Sequence, residues 1–335
     1  MIVDIFTHIF PKAAYEKMIG MSADLGNIGK RLTNVTFLHD LDGRFREMDS
    51  YGEYCQIISL PNPPLEDVTT PEQGTELSKV ANDSMAELVS QHPDRFPGFV
   101  ASIAMHDLDR ALMEVDRAIN ELGAKGIQVF SNVAGRPLDD PQYDPLFKKM
   151  WEYNLPIWLH PARTSQQSDY ASEQISRFEL WTIMGWPYAT SVAMVRLVVT
   201  GLFDRYPGIK IICHHMGGNI PFHEGRVENA FAVMGRRTVD EDYIGMKNKL
   251  IRPAIDYFRM FYGDMAMHGA VAPLRCGLEF FTPNNVVFAS DAPFANINKC
   301  IQAVERLELE KHIKNKVYSG NAGRLMNMSF GQNQL

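Results

Sequence analysis

Eight short apolar runs, each closed by turn residues and separated from the next by a helix-like stretch, constrain this 335-residue sequence more than any other feature. They span residues 3–8, 55–60, 99–103, 126–130, 157–160, 209–214, 258–262 and 286–290, and have the β-branched, aliphatic and aromatic content of buried strands. Helical spacing fills the intervals at 41–51, 75–92, 108–122, 145–153 and 299–309, as in the stripe Leu77, Val80, Ala81, Met85, Leu88 and Val89. A longer insertion, 164–188, follows the fifth run and leads into a helix through residue 203. Strands that alternate with helices run parallel through crossovers, and eight is the number that closes a (β/α)8 TIM barrel. A doubly wound open sheet would bring a glycine-rich phosphate turn after an early strand, and none is present. No repeat, low-complexity segment or linker divides the pattern. The expectation is one α/β barrel domain over residues 1–335, with an insertion after strand five.

Composition narrows the function classes. Apolar residues make up 45% and charged residues 22%, as in ordinary globular proteins. The formal charge is −7 and no Lys/Arg cluster occurs, which argues against a surface that tracks nucleic-acid phosphates. No apolar run is expected to reach the roughly 20 residues that cross a bilayer, and the N-terminus reads as strand rather than as a basic segment leading an apolar one. These readings predict a cytoplasmic protein with neither membrane nor nucleic acid as partner. Cys55, Cys213, Cys276 and Cys300 have no C-x-x-C spacing, so neither a disulfide framework nor a thiolate zinc site is expected. Cys55 and Cys213 lie in strand runs and read as buried free thiols.

Barrel folds place their chemistry at the carboxyl ends of the strands. His8 ends the first run, His160 the fifth, His214 and His215 the sixth, and Asp291 directly follows the eighth. One strand-end histidine is usually a hydrogen-bonded structural residue. Four strands ending in this way make a divalent-metal site the more economical reading. Strand alternation predicts that only one of His214 and His215 faces inward, and that Asp4, Phe6 and His8 share one face of the first strand.

The run Val3-Asp4-Ile5-Phe6-Thr7-His8-Ile9-Phe10-Pro11 resembles the opening of the amidohydrolase superfamily, in particular its aminocarboxymuconate-semialdehyde decarboxylase-like branch. There an aspartate precedes a His-x-His metal pair and a proline; Phe6 stands where that pair has its first histidine. Ile157-Trp158-Leu159-His160-Pro161, His215-Met216-Gly217-Gly218-Asn219-Ile220-Pro221-Phe222 and Ser290-Asp291-Ala292-Pro293-Phe294 are similar to three further motifs of the branch. Weaker likenesses at residues 46–49, 126–128 and 319–322 extend the resemblance over nearly the whole chain.

The resemblance implies a divalent cation, zinc first and manganese second, held by His8, His160 and Asp291, with His215 or water completing the shell. It implies that His215, rather than His214, is the catalytic histidine, orienting or exchanging a proton near its ordinary neutral range, and that Asp291 carries the proton. The implied reaction is nonoxidative decarboxylation of an aromatic or unsaturated carboxylic acid. Hydrolysis of a lactone or amide, hydration of a double bond, and a non-catalytic barrel that binds a small ligand are the alternatives, the last kept open by Phe6. Arg163, in the loop after His160, is a candidate to pair with a substrate carboxylate. Phe178, Trp181, Trp186 and Tyr188 lie in the insertion that overhangs the mouth, where aromatics suit a planar acid or a subunit partner. Relatives of this kind are commonly dimers, so a homodimer or higher homo-oligomer is expected.

Overall fold

The computed structural model describes residues 1–21, 26–239 and 241–330. Its main strands, in chain order, are β1 (Ile2–His8), β2 (Tyr54–Ser59), β3 (Gly98–Phe99, continued as Ala101–Ser102), β4 (Ile127–Phe130), β5 (Ile157–His160), β6 (Ile211–Cys213), β7 (Tyr262–Asp264) and β8 (Val286–Val287). Each pairs in parallel with the next, the two pieces of β3 carrying the ladder from β2 across to β4. The ring is completed just past β8. Ile5 N donates to Phe288 O (3.1 Å), Asp291 N to Phe6 O (3.2 Å) and His8 N to Ala292 O (2.7 Å). The (β/α)8 barrel is therefore the architecture, and its seam sets Asp291 beside His8.

Two apolar layers hold it. Ile5, Phe6, Ile57, Trp158, Ile212 and Val287 meet in the inner cluster, while helix residues such as Leu77, Ala81 and Met85 pack in the larger outer one. Each fully buried leucine, isoleucine, valine, phenylalanine or methionine side chain there contributes on the order of 1.5–3 kcal/mol. The long helix Pro71–Gln91 starts sharply because Thr70 and Gln73 cap one another's backbone N–H groups and Pro71 occupies the first turn. Cys55 and Cys213 are free and buried, as their strand positions predict.

Three expectations change. Residues 258–262 do not form a strand: Ala254–Phe258 is helical and β7 begins at Tyr262. Short apolar runs satisfy either periodicity, and here Ile255, Phe258 and Phe261 bury at the helical spacing of three. Alternation along β1 also fails, because its pairing with β2 shifts register between Asp4 and Thr7. Ile5 and Phe6 both join the inner cluster, whereas Asp4 accepts bonds from Tyr54 Oη (2.5 Å) and Ser290 N (2.9 Å). Finally, Leu180–Val199 does have the length and composition of a membrane span. It is split at Met184 into Leu180–Ile183 and Gly185–Val199, and its Ala193, Met194, Leu197 and Val198 belong to the outer core.

Behind β1 lies a buried polar network centred on Arg44, from the helix Leu41–Asp49. Its Nη1 donates to His8 O (2.6 Å), its Nε to Gln56 Oε1 (2.7 Å) and its Nη2 to Thr7 Oγ1 (3.2 Å), and Gln56 continues through Tyr54 to Asp4. Burial pulls the Arg44 guanidinium down to about 10 and pushes the Asp4 carboxyl up to about 6. The backbone at His8 is thus held by a charged group rather than by apolar packing.

Candidate metal centre

Four imidazoles and one carboxylate meet at the carboxyl end of the barrel. His8, His160, His214, His215 and Asp291 are all buried. Each imidazole uses its Nδ1–H on an oxygen: His8 on Leu60 O (3.2 Å), His160 on Pro161 O (2.8 Å), His214 on Asp264 Oδ2 (2.5 Å) and His215 on Ala266 O (2.7 Å). These oxygens favour a proton on Nδ1, which in the neutral ring leaves the lone pair on Nε2. One ligand atom from each of His8, His160 and His214 lies within 4.8 Å of the others, and the same holds for His214, His215 and Asp291. The Nε2 atoms of His8 and His214 lie 3.2 and 3.4 Å from Asp291 Oδ1, yet neither makes a hydrogen bond. Buried polar atoms left in this state are costly unless something fills the space between them. A divalent cation would do so, and imidazole with carboxylate is a donor set that zinc and manganese accept.

Electrostatics agree with that fit. Burial lowers His8, and it lowers His160 well below the usual range with help from the nearby His214 and His8 charges. Burial and His214 push His215 down to about 4. This corrects the expected near-neutral titration of His215. For His214, burial opposes the charge, but Asp264 and then Asp291 outweigh it and raise the group to about 9. Burial likewise works against the Asp291 anion, and the contacts from His214 and His8 overcome it, holding the carboxyl well below its ordinary value. His8, His160 and His215 are thus neutral beside a carboxylate, the state that metal binding requires, whereas His214 would release its proton as a cation binds.

The local backbone explains how two adjacent histidines reach one site. Strand geometry stops at Cys213; His215 (φ 56°), Met216 (φ 53°), Gly217 (φ 72°) and Gly218 (φ 62°) then run through the left-handed region. Alternation lapses there, so both rings turn to the mouth, their centroids 3.8 Å apart. The expectation that only one faces inward is therefore wrong. A Cβ at Gly218 would lie 2.3 Å from Pro187 O, so glycine is what lets this turn dock on the helix Gly185–Val199. Asp291 also sits at positive φ (67°), a conformation that Asp tolerates better than most residues.

Above the imidazoles opens a cavity of about 840 Å³ whose lining includes Arg31, Trp181, Trp186, His215, His268 and Asp291. Trp181 and Trp186 pack edge to face, 5.8 Å between centroids, and Trp186 lies 5.8 Å from the His160 ring. Phe6 leaves this cavity open; it lies beneath the imidazoles, 1% exposed. Phe178 and Tyr188 point to solvent, 84% and 55% exposed. Arg163 also differs from expectation: its guanidinium bonds Gln167 O and Ser168 O and pairs with Asp169, outside the cavity. The guanidinium that does line it is Arg31, 3.9 Å over the Phe294 ring and 5.0 Å from Trp186. Sequence gave little signal for Arg31, which lies in the polar stretch after β1. A comparable cavity of about 860 Å³ at the opposite end of the barrel, among Asn284, Lys316 and Arg324, gathers none of these imidazoles.

A closed parallel barrel with histidines and an aspartate converging at its carboxyl ends defines the class of metal-dependent barrel enzymes. The chain matches the amidohydrolase family over residues 59–327 and belongs to it, within the aminocarboxymuconate-semialdehyde decarboxylase-related branch. It is 30% identical to a gamma-resorcylate decarboxylase of Polaromonas sp. over 86% of this chain and 87% of that protein. It is 26% identical to the 2-amino-3-carboxymuconate-6-semialdehyde decarboxylase of Dictyostelium discoideum over 96% and 90%. Among solved structures, 5-carboxyvanillate decarboxylase from Sphingomonas paucimobilis superposes with a TM-score of 0.83 at 26% identity, covering 98% of this chain and 99% of that one. A dihydroxybenzoic acid decarboxylase from Polaromonas sp., with bound manganese and the inhibitor 2-nitroresorcinol, superposes with a TM-score of 0.80 at 25% identity, over 97% and 96%.

Proposed function

We propose that this chain is a metal-dependent nonoxidative decarboxylase whose substrate is an aromatic carboxylic acid with a hydroxyl ortho to the carboxylate. The observation that carries the reading is the convergence of buried, unpaired imidazole nitrogens and Asp291 on the floor of an aromatic-walled cavity that also holds Arg31. The same chemistry in the relatives supports it. Held by His8, His160 and Asp291, a divalent cation would orient the substrate carboxylate and its neighbouring oxygen and withdraw charge as the carbon–carbon bond breaks.

Every other task falls to side chains. Arg31, steadied by Phe294 and Trp186, supplies a fixed positive charge for the acid. Trp181 and Trp186 flank the planar ring and exclude water. Departure of carbon dioxide leaves the bonding pair on the ring carbon, which must gain a proton. His215 and Asp291 both rest without one at neutral pH. In this reading the proton arrives with the substrate: Asp291 accepts it from the ortho hydroxyl and returns it to the ring carbon, His215 fixing its path. Solvent reprotonates the phenolate on release.

The test is a panel assay on purified, metal-loaded protein. Ortho-hydroxybenzoates should release carbon dioxide, and benzoate, which brings no such proton, should not. Acid release from lactones without gas would overturn the proposal in favour of hydrolysis. Zinc as the resident ion, a homodimer and a cytoplasmic location belong to the same reading, and light scattering on the purified protein checks the second.

A further inference from the structure

We propose that His214 is itself a metal ligand, filling the coordination position that Phe6 cannot, and that Asp264 is the carboxylate that aims it. The proposal rests on the reading of this site as a metal centre. β1 brings a single imidazole to the site, His8, because Phe6 offers no donor atom. The Phe6 ring instead forms the floor: its centroid lies 4.0 Å from His214, edge on at 85°, 5.1 Å from His8 and 5.7 Å from His160. A fully buried aromatic there keeps water from the underside of the three imidazoles. His214 stands against that ring, and its ligand atom shares one cluster with those of His8 and His160.

Asp264 makes His214 a prepared ligand rather than a merely close one. Asp264 is fully buried at the end of β7, where Oδ1 accepts from His215 N (3.0 Å) and Ala266 N (3.1 Å). With that oxygen locked, Oδ2 is left for His214 Nδ1–H at 2.5 Å. A carboxylate on the far nitrogen orients a metal-binding imidazole and raises its basicity. The near nitrogen, Nε2, is buried and has no hydrogen-bond partner, which is the second sign that a ligand atom is missing from the space it faces. His215 differs on each point. Its Nδ1–H goes to a backbone carbonyl, its ligand atom does not cluster with those of His8 and His160, and it lines the open cavity. The two adjacent histidines thus divide the work, His214 in the metal layer and His215 in the substrate layer above.

The experiment titrates metal-free wild type, His214→Ala, His214→Gln, Asp264→Asn and the double variant Phe6→His/His214→Ala with zinc against a competing chelator. Losing His214 should weaken binding about 100-fold or more, and losing Asp264 about 10- to 100-fold. Phe6→His should restore at least tenfold of what His214→Ala loses, by returning an imidazole to the same space. Wild-type affinity in folded His214→Ala and His214→Gln proteins would overturn the assignment. Should those variants not fold, anomalous scattering from zinc-loaded wild-type crystals decides the matter. Zinc about 2.0–2.1 Å from His214 Nε2 supports the proposal, and zinc beyond about 3 Å overturns it. If wild type binds zinc through His214 but releases no carbon dioxide, the decarboxylase reading fails and the ligand assignment stands.

Discussion

Asp291→Asn should reduce turnover by at least ~1,000-fold at saturating metal, while the thermal unfolding midpoint moves by no more than a few degrees. The two halves of this prediction have separate causes. Asparagine, like aspartate, tolerates the positive φ of this position (67°), so the backbone at the barrel seam keeps its shape. The bonds that close the seam are backbone bonds from Asp291 N and to Ala292 O, which the substitution does not touch. Chemistry suffers twice over. The amide removes the negative charge that faces His8 and His214, and it cannot take a proton from the substrate and return it to carbon. General acid–base roles alone contribute about 10²- to 10⁴-fold. Turnover within tenfold of wild type would show that the proton travels by another group.

Arg44→Leu should cost about 3–5 kcal/mol of stability, read as a lower denaturation midpoint in urea at unchanged slope. Leucine fills part of the space but leaves His8 O, Gln56 Oε1 and Thr7 Oγ1 without their donor in a region closed to water. Domains of this kind have total stabilities of only about 5–15 kcal/mol, so the loss is a large share. Metal affinity should fall as well, since Arg44 holds the backbone carbonyl of His8, whose imidazole would face the cation in the proposed reading. A loss under about 1 kcal/mol would mean that water or a neighbour replaces the guanidinium.

These two residues mark the reach of sequence reasoning. Asp291 was legible because a strand-like run ends beside it and its motif repeats a known pattern, and His8 and His160 were legible on the same ground. Asp264 was hidden by a one-turn error: reading 258–262 as strand ends the seventh strand too early, and the carboxylate falls into an unnoticed loop. His214 was discarded by a rule that holds only while the chain stays extended. The left-handed run that begins at His215 breaks it, and the two glycines after Met216 were the available clue. Arg44 left a fainter trace, as a charged residue three after Leu41 and four before Met48, on the buried face of its helix. Arg31 and Arg163 could not be told apart by spacing, because which guanidinium reaches the cavity depends on how two separate loops fold over the barrel mouth.

The central claim is that carbon–carbon cleavage takes place at the metal centre of this barrel, with the leaving carboxylate replaced by a proton. Its most direct test follows an ortho-hydroxybenzoate in deuterated water with manganese-loaded and chelator-stripped protein. The account predicts one carbon dioxide per product molecule, one deuterium on the carbon that carried the carboxylate, and loss of at least ~100-fold in rate on stripping, restored by manganese. Equal rates in the stripped protein, or a product formed without carbon dioxide, would contradict it.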